Sequence, residues 1–152
     1  MSRLFKLDTD TCARLLHAGV FGRLVFCTDH GPEVLPVNYT TVGGAILVRT
    51  SADSLLARHV DGAHVAFETD YVNYDRWHGW SVVARGMGEC LTAEELTDEE
   101  RFVPEPQPWA RRGEPVWVRV QWTELTGRRI EKGWDPIAEL PVHRRAWARA
   151  KA

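Results

Sequence analysis

No stretch of this chain approaches the ~20 consecutive apolar residues that a membrane-spanning helix needs. The first ten residues interleave Arg3, Lys6, Asp8 and Asp10 with their apolar neighbours, whereas a secretion signal needs an unbroken apolar stretch there, so the expected location is cytoplasmic. Cysteine is scarce: Cys12, Cys27 and Cys90 are odd in number and widely spaced. With no C-x-x-C pair, they read as reduced thiols rather than a disulfide framework. An excess of one charge is also missing, the net charge being −2 over 152 residues, so nucleic acid and anionic membrane surfaces are not expected partners. There is no G-x-x-x-x-G-K-[ST] phosphate loop, no G-x-G-x-x-G between strand and helix, and no H-E-x-x-H. The six histidines form no ligand ladder, and no metal is expected. Ser81 lies inside a strand pattern and not on a G-x-S-x-G elbow, so a serine nucleophile is unsupported.

What the chain does contain is strand pattern broken by short helices. Asp8-Thr9-Asp10 offers caps to a helix in which Cys12, Leu15 and Leu16 recur at helical spacing, ending near Gly19. Leu24–Thr28 and Glu33–Thr41 read as two strands joined by the turn residues Asp29-His30-Gly31-Pro32, and Ala45–Thr50 as a third. Ser51–Val60 is expected to be a short helix capped by Ser51 or Asp53, with Leu55, Leu56 and His59 on one face. In Ala63–Thr69 the residues Val65, Phe67 and Thr69 alternate to one side. Gly79–Leu91 is a long strand, and Gly86-Met87-Gly88 within it marks a bend or bulge. Thr92 would cap an acidic helix through Glu94, Glu95, Asp98 and Glu99, and Pro104, Pro106 and Pro108 break it into a loop. Val116–Leu125 is the last strand, and Arg128-Arg129-Ile130 continues or closes it. The expected fold is mainly β with short helices: a six-stranded antiparallel barrel, since closure removes exposed edges. It forms one domain over residues 1–152, with 131–152 as a C-terminal tail whose end is basic.

One junction carries chemistry. Arg49, Thr50, Ser51 and Ser54 lie where a strand runs into a helix. Free N–H groups, hydroxyls and a guanidinium there suit a phosphate monoester, and the same residues are explained equally by helix capping alone. The seven tryptophans could pack a flat ring or simply fill a core; composition does not choose.

Gly22-Arg23-Leu24-Val25, Leu35-Pro36-Val37-Asn38-Tyr39, Leu47-Val48-Arg49-Thr50, Phe67-Glu68 and Gly79 to Gly86 follow one another in order. With Trp117-Val118-Arg119-Val120 and Thr126 to Ile130, they resemble the pyridoxamine 5'-phosphate oxidase-like family in its small actinobacterial-type branch. The resemblance implies a flavin-binding split barrel that dimerises, with flavin mononucleotide (FMN) in a groove at the subunit interface. By position it implies that Val34 to Tyr39, including Pro36, Val37 and Asn38, line the flavin ring through backbone groups. It further implies that Arg49, Thr50 and Ser54 meet the phosphate, that Trp80 and Ser81 lie near the partner site's ring or ribityl chain, and that Arg128 or Arg129 closes the pocket. Where the family commonly carries a phosphate-binding lysine, this chain has Ser54-Leu55-Leu56, and Tyr39 stands where a true pyridoxamine phosphate oxidase has a lysine. Vitamin B6 synthesis is therefore not expected.

Two functions follow as expectations. One is an FMN-dependent oxidoreductase acting on a small aromatic or nitro-aromatic molecule, with Tyr39 the candidate acid or base. The other is a non-catalytic carrier or sensor of flavin, a deazaflavin coenzyme or heme, the last needing a histidine such as His59, His64 or His78. A scaffold whose pocket has decayed, using its charged helix and tail for contacts, ranks behind both.

Overall fold

The computed structural model describes residues 3–106 and 113–140. Pro108, Trp109, His143, Trp147 and the basic end of the tail, all singled out in the sequence, lie outside the described residues. Among the described residues eight strands form one antiparallel sheet: β1 (Leu4–Leu7), β2 (Phe21–Thr28), β3 (Gly31–Asn38), β4 (Thr40–Val42), β5 (Ala45–Ser51), β6 (His64–Asn73), β7 (His78–Leu91) and β8 (Pro115–Ile130). Three short helices interrupt it: α1 (Thr9–Ala18), α2 (Leu55–Val60) and α3 (Asp98–Phe102). No helix among the described residues is long and apolar enough to cross a membrane.

The strand order is β3-β2-β6-β7-β8-β5-β4, with β1 added on β8. β3 and β4 are the two halves of one stretch of chain bent at Tyr39. The first half pairs β2 and the second pairs β5, so the bend joins the two ends of the sheet and closes a six-stranded barrel. The expected strand Glu33–Thr41 is thus divided at Tyr39, and the six expected strands are the six walls of the barrel. β1 was not anticipated. It is short, carries Lys6 in its middle, and takes its order from a partner more than a hundred residues away, Leu7 lying opposite Gly127 and Leu4 opposite Ile130.

Alternation sorts side chains to the inside or outside of the wall. Leu24 and Phe26 of β2, Val65, Phe67 and Thr69 of β6, and Trp80, Val82 and Ala84 of β7 point inward and are buried. Cys12, Leu15 and Leu16 of α1 and Leu56 and Val60 of α2 complete the same core. The α2 cap is Ser54, whose hydroxyl accepts from the Ala57 N–H at 3.0 Å, rather than Ser51 or Asp53. Its buried face is Leu56 and Val60, one turn apart, while Leu55 is exposed. The acidic helix is two pieces: a 3-10 turn at Ala93–Glu95, then α3. A second capping threonine, Thr97, starts the new helix, accepting from the Glu100 N–H at 3.2 Å while Glu100 accepts from the Thr97 N–H at 2.8 Å. α3 is held over the outer face of β5 and β8 by Arg119, which meets buried Glu100 at 2.9 Å and Glu89 at 2.8 Å. Burial pushes the Glu100 carboxyl up, but the Thr97 N–H and Arg119 outweigh it and hold the carboxyl below the usual range.

One irregularity sets which side chains of β8 face outward. Arg85 of β7 lies opposite Glu124, yet Gly86 lies opposite Trp122. Thr123 is the extra residue of a β-bulge, and it reverses the alternation of everything after it. Val118 and Val120 face in before the bulge, and Leu125, Gly127 and Arg129 after it; Glu124, Thr126 and Arg128 face out. Gly86 permits this because a Cβ there would collide with the Gln121 carbonyl oxygen. The bulge expected at Gly86-Met87-Gly88 is therefore present, with its extra residue on the neighbouring strand.

Gly86→Ala is expected to cost about 2–3 kcal/mol in chemical denaturation, as a strand is forced off its neighbour; a loss below half a kcal/mol would show that the bulge relaxes freely. Glu100→Gln is expected to cost about 2 kcal/mol at neutral pH. Because the folded carboxyl is held low, that contribution is present above the usual carboxylate range and fades as pH falls through it. The gap between wild type and variant should therefore close on acidification.

Candidate functional site

The outer face of the barrel carries the most convergent polar chemistry. Rows of side chains run directly across strands there. Lys6 lies opposite Arg128, Arg128 opposite Ser81, and Ser81 opposite Asp70. A groove of about 520 Å³ is lined by Lys6, Ser81, Val83, Arg85, Glu124, Thr126, Gly127 and Arg128. Arg85 donates to the Thr126 hydroxyl at 3.2 Å and faces Glu124 at 3.8 Å. On the next row Arg23 of β2 meets Glu68 at 2.7 Å and Asp70 at 3.0 Å. Burial pushes the Glu68 carboxyl up, and Arg23 offsets only part of that. Ser81 and Arg128, both expected at a cofactor site, are brought together here. Lys6, Arg85 and Thr126 were missed. The signal for Thr126 and Arg85 was their alternation with Arg128 and Ser81, whereas nothing in the sequence marked Lys6.

Pro36, Val37 and Asn38 lie on β3, whose outer edge pairs with no strand among the described residues. The edge backbone of Pro36 and Val37 faces away from β2 and could meet a ligand. Pro36 and Asn38 face outward, opposite Arg23 and Phe21, while Val37 opposes Gly22 and packs toward the core. Val34 is 57% exposed and Leu35 37% exposed beside them. β3 and β7 are three strands apart around a six-stranded barrel. The β3 residues and Ser81 therefore stand on opposite sides of the barrel.

The strand-to-helix junction is organised differently from the expected phosphate site. Arg49 and Thr50 alternate to opposite faces of β5. Arg49 points outward into an ion pair with Glu105 at 2.5 Å. The Thr50 hydroxyl donates to the Ser54 hydroxyl at 3.0 Å, and Ser54 serves as the α2 cap. Capping accounts for Thr50 and Ser54, and the guanidinium is already neutralised, so the structure does not assemble these three around a phosphate. Trp80 and Ser81 are likewise separated: Ser81 is outside, whereas Trp80 is inside and 3% exposed. The Trp80 indole N–H is buried with no hydrogen-bond partner among the described residues.

Tyr39, the candidate acid or base, is a core residue. It is 1% exposed, packs on Phe67 with ring centroids 4.6 Å apart, and donates its hydroxyl to the Leu16 carbonyl at 2.6 Å. A phenol whose proton is committed to a backbone oxygen inside the barrel is not presented to a substrate in this structure. Of the histidines considered for heme, His64 is on the outer wall, and His59 contacts the Leu55 carbonyl of its own helix at 2.9 Å. His78 is buried, 2.7 Å from Glu139 and stacked on Trp134 at 3.9 Å. Glu139 also receives Arg76 at 3.0 Å, and His78 draws its carboxyl below the usual range. Arg129, turned inward by the bulge, lies over the Trp134 ring, its guanidinium carbon 5.2 Å from the centroid. The start of the expected tail is thus packed on the barrel, with Trp134, Ile137 and Leu140 against the core.

A family model described as pyridoxamine 5'-phosphate oxidase matches residues 8–129. The chain belongs to that family. It is 32% identical over 131 residues to an uncharacterised protein of Mycobacterium tuberculosis, covering 82% of this chain and 84% of the relative. It is similar in structure to the FAD-binding protein from Mycobacterium smegmatis, with a TM-score of 0.70 and 30% identity over 82% of this chain and 98% of that one. The fold is also shared by a FAD- and heme-binding protein from the same organism, with a TM-score of 0.61 and 17% identity over 85% of this chain and 74% of that one. These likenesses establish the split-barrel fold of the family.

Tyr39→Phe keeps the ring packing and removes one buried hydrogen bond. It is expected to lower stability by about 1 kcal/mol and to leave ligand binding as in the wild type. A change in ligand binding without a change in stability would return Tyr39 to the site.

Proposed function

We propose that this protein binds a flavin nucleotide between two copies of the chain and acts as a flavin-dependent oxidoreductase on a small molecule. The observation that carries the reading is the fold and sequence shared with the mycobacterial FAD-binding protein. The geometry of this chain supports the dimer. The edge strand β3, with Pro36 and Asn38, and the outward Ser81 and Arg128 lie on opposite sides of one barrel. A two-fold arrangement brings the first set of one copy to the second set of the other, and does so twice.

The residues present fit a flavin in two respects. β3 offers an unpaired backbone edge for the polar rim of the ring, flanked by the exposed apolar surface of Val34 and Leu35. The β7–β8 groove offers cations and hydroxyls. A flavin bound there would supply hydride and electron transfer. The chain's own part is to hold and orient it, and to cover one ring face with apolar surface. A carrier role for flavin or a deazaflavin coenzyme is the alternative, favoured by the burial of Tyr39, the candidate acid or base, in the core. Heme is less well supported, because His78, the one buried histidine among the described residues, is already engaged by Glu139 and Trp134.

The test is an absorption spectrum of purified protein after addition of FMN or FAD and desalting, with mass measured by light scattering. A retained flavin spectrum near one cofactor per chain in a dimer is the expected result. A monomer at micromolar concentration that retains flavin at that ratio would overturn the shared site, and a dimer that retains none would overturn the flavin reading. Turnover with a nicotinamide donor then separates oxidoreductase from carrier.

A further inference from the structure

We propose that the outer face of the barrel beside the β6–β7 turn is a binding surface for a flat aromatic ring; that this ring is the substrate's rests on the flavin reading above. Leu4, Ile130, Gly79 and Val72 stand opposite one another in a single row across β1, β8, β7 and β6. They share the outward face of the next row, Lys6, Arg128, Ser81 and Asp70, because residues two apart on a strand point the same way. Leu4 is 62% exposed and Val72 49%. Gly79 has no side chain, and a Cβ there would meet the Tyr71 carbonyl oxygen at 2.6 Å, so the middle of the row stays flat. Exposed apolar surface that is contiguous rather than scattered marks a binding site.

The turn at the end of that row adds two rings. Residues 74–77 join β6 to β7, and Tyr74 and Trp77 are both largely exposed. Neither has a hydrogen bond or ring contact among the described residues. Trp77 has a φ of 53°, in the left-handed region where glycine is at ease and a bulky side chain is strained. Glycine would serve the turn alone; tryptophan keeps the strain and presents an indole, and strain of this kind gathers at ligand sites. The turn is also braced. The Asn73 side chain accepts from the Arg76 N–H at 3.0 Å, and Glu139 meets His78 at 2.7 Å and Arg76 at 3.0 Å. Glu139 lies beyond residue 129, where the family match ends, so the brace belongs to this chain's own last segment. A fixed indole beside a flat apolar row suits an offset stack on a planar ring. A stable subunit contact buries about 800 Å² per partner, more than two rings and one row of side chains offer, so the occupant is a small molecule.

The experiment is a calorimetric titration with 2-naphthoate and with its saturated, non-planar analogue decalin-2-carboxylate, with and without added FMN, on the wild type, Trp77→Gly and Phe102→Ala. Phe102 is 88% exposed on α3 and controls for the loss of any exposed ring. The wild type is expected to bind the naphthoate about tenfold more tightly than the decalin. Trp77→Gly should weaken the naphthoate about tenfold, the loss of one aromatic stack, and leave the decalin unchanged. Its denaturation midpoint should be unchanged or raised, because glycine relieves the left-handed backbone. Phe102→Ala should alter neither affinity. Equal binding of the two acids by the wild type, or naphthoate binding that survives in Trp77→Gly, overturns the surface. So does a fall in stability that accompanies the loss of binding, which would make the indole structural. A dimer that becomes a monomer in Trp77→Gly by light scattering makes the turn a subunit contact and also overturns it. Flavin retained without naphthoate binding removes this surface and leaves the flavin reading; naphthoate bound through Trp77 by a protein that retains no flavin keeps the surface and removes the flavin reading.

Discussion

The bend at Tyr39 lets one stretch of chain serve both ends of the sheet, and the rest of the architecture depends on it. Without it β3 and β4 would be one straight edge strand, and either β2 or β5 would lose its neighbour. The bend is held from inside. The Tyr39 hydroxyl reaches the Leu16 carbonyl near the end of α1, and its ring leans on Phe67 of β6. Gly19 leaves the space for that hydroxyl, since a Cβ there would collide with it. A helix end, a strand bend and a wall on the far side of the barrel are therefore tied through one phenol. Such a residue attracts notice in a sequence as candidate chemistry, because the same hydroxyl can be read as an acid or a base. Burial decides against that reading here.

Once the barrel is closed, the face on which a residue lies decides what it can do, and sequence neighbours are sent to opposite faces. Arg49 goes outward to Glu105 while Thr50 goes inward to Ser54. Trp80 goes into the core while Ser81 goes to the outer groove. Reading Arg49-Thr50 or Trp80-Ser81 as units joins groups that the pleat separates. The bulge at Thr123 does the same for Arg128 and Arg129. Arg129 is turned in, over Trp134, where it helps hold residues 131–140 against the barrel. Arg128 is turned out, opposite Lys6 and Ser81. One inserted residue thus divides an adjacent pair of arginines between a structural task and an open groove.

The walls of the barrel were legible in the sequence because each is written as local alternation or as a β-branched run bounded by turn residues. Val65, Phe67 and Thr69 face inward as their spacing required, and α1 ends at Gly19 as expected. Family membership was legible from the order of several weak pieces, none specific alone. What escaped was non-local. β1 has four residues, and its pairing with the end of β8 is a property of the closed fold. The α2 cap was misplaced by three residues or fewer, since Ser51, Asp53 and Ser54 are all capping types and only the backbone distinguishes them. The junction at Arg49 was ambiguous for a related reason. Arginine and hydroxyls at a strand-to-helix turn satisfy both readings, and Glu105, which neutralises Arg49, is more than fifty positions away in the chain.

The same closure separates the halves of the proposed site. An open sheet could lay β3 and β7 along one surface, three strands apart. In a six-stranded barrel three strands is half a turn, so the outward residues of β3 and of β7 look in opposite directions. A ligand that needs the unpaired edge of β3 and the cations beside Ser81 must be shared between molecules. The fold thus turns a requirement for two kinds of contact into a requirement for two chains.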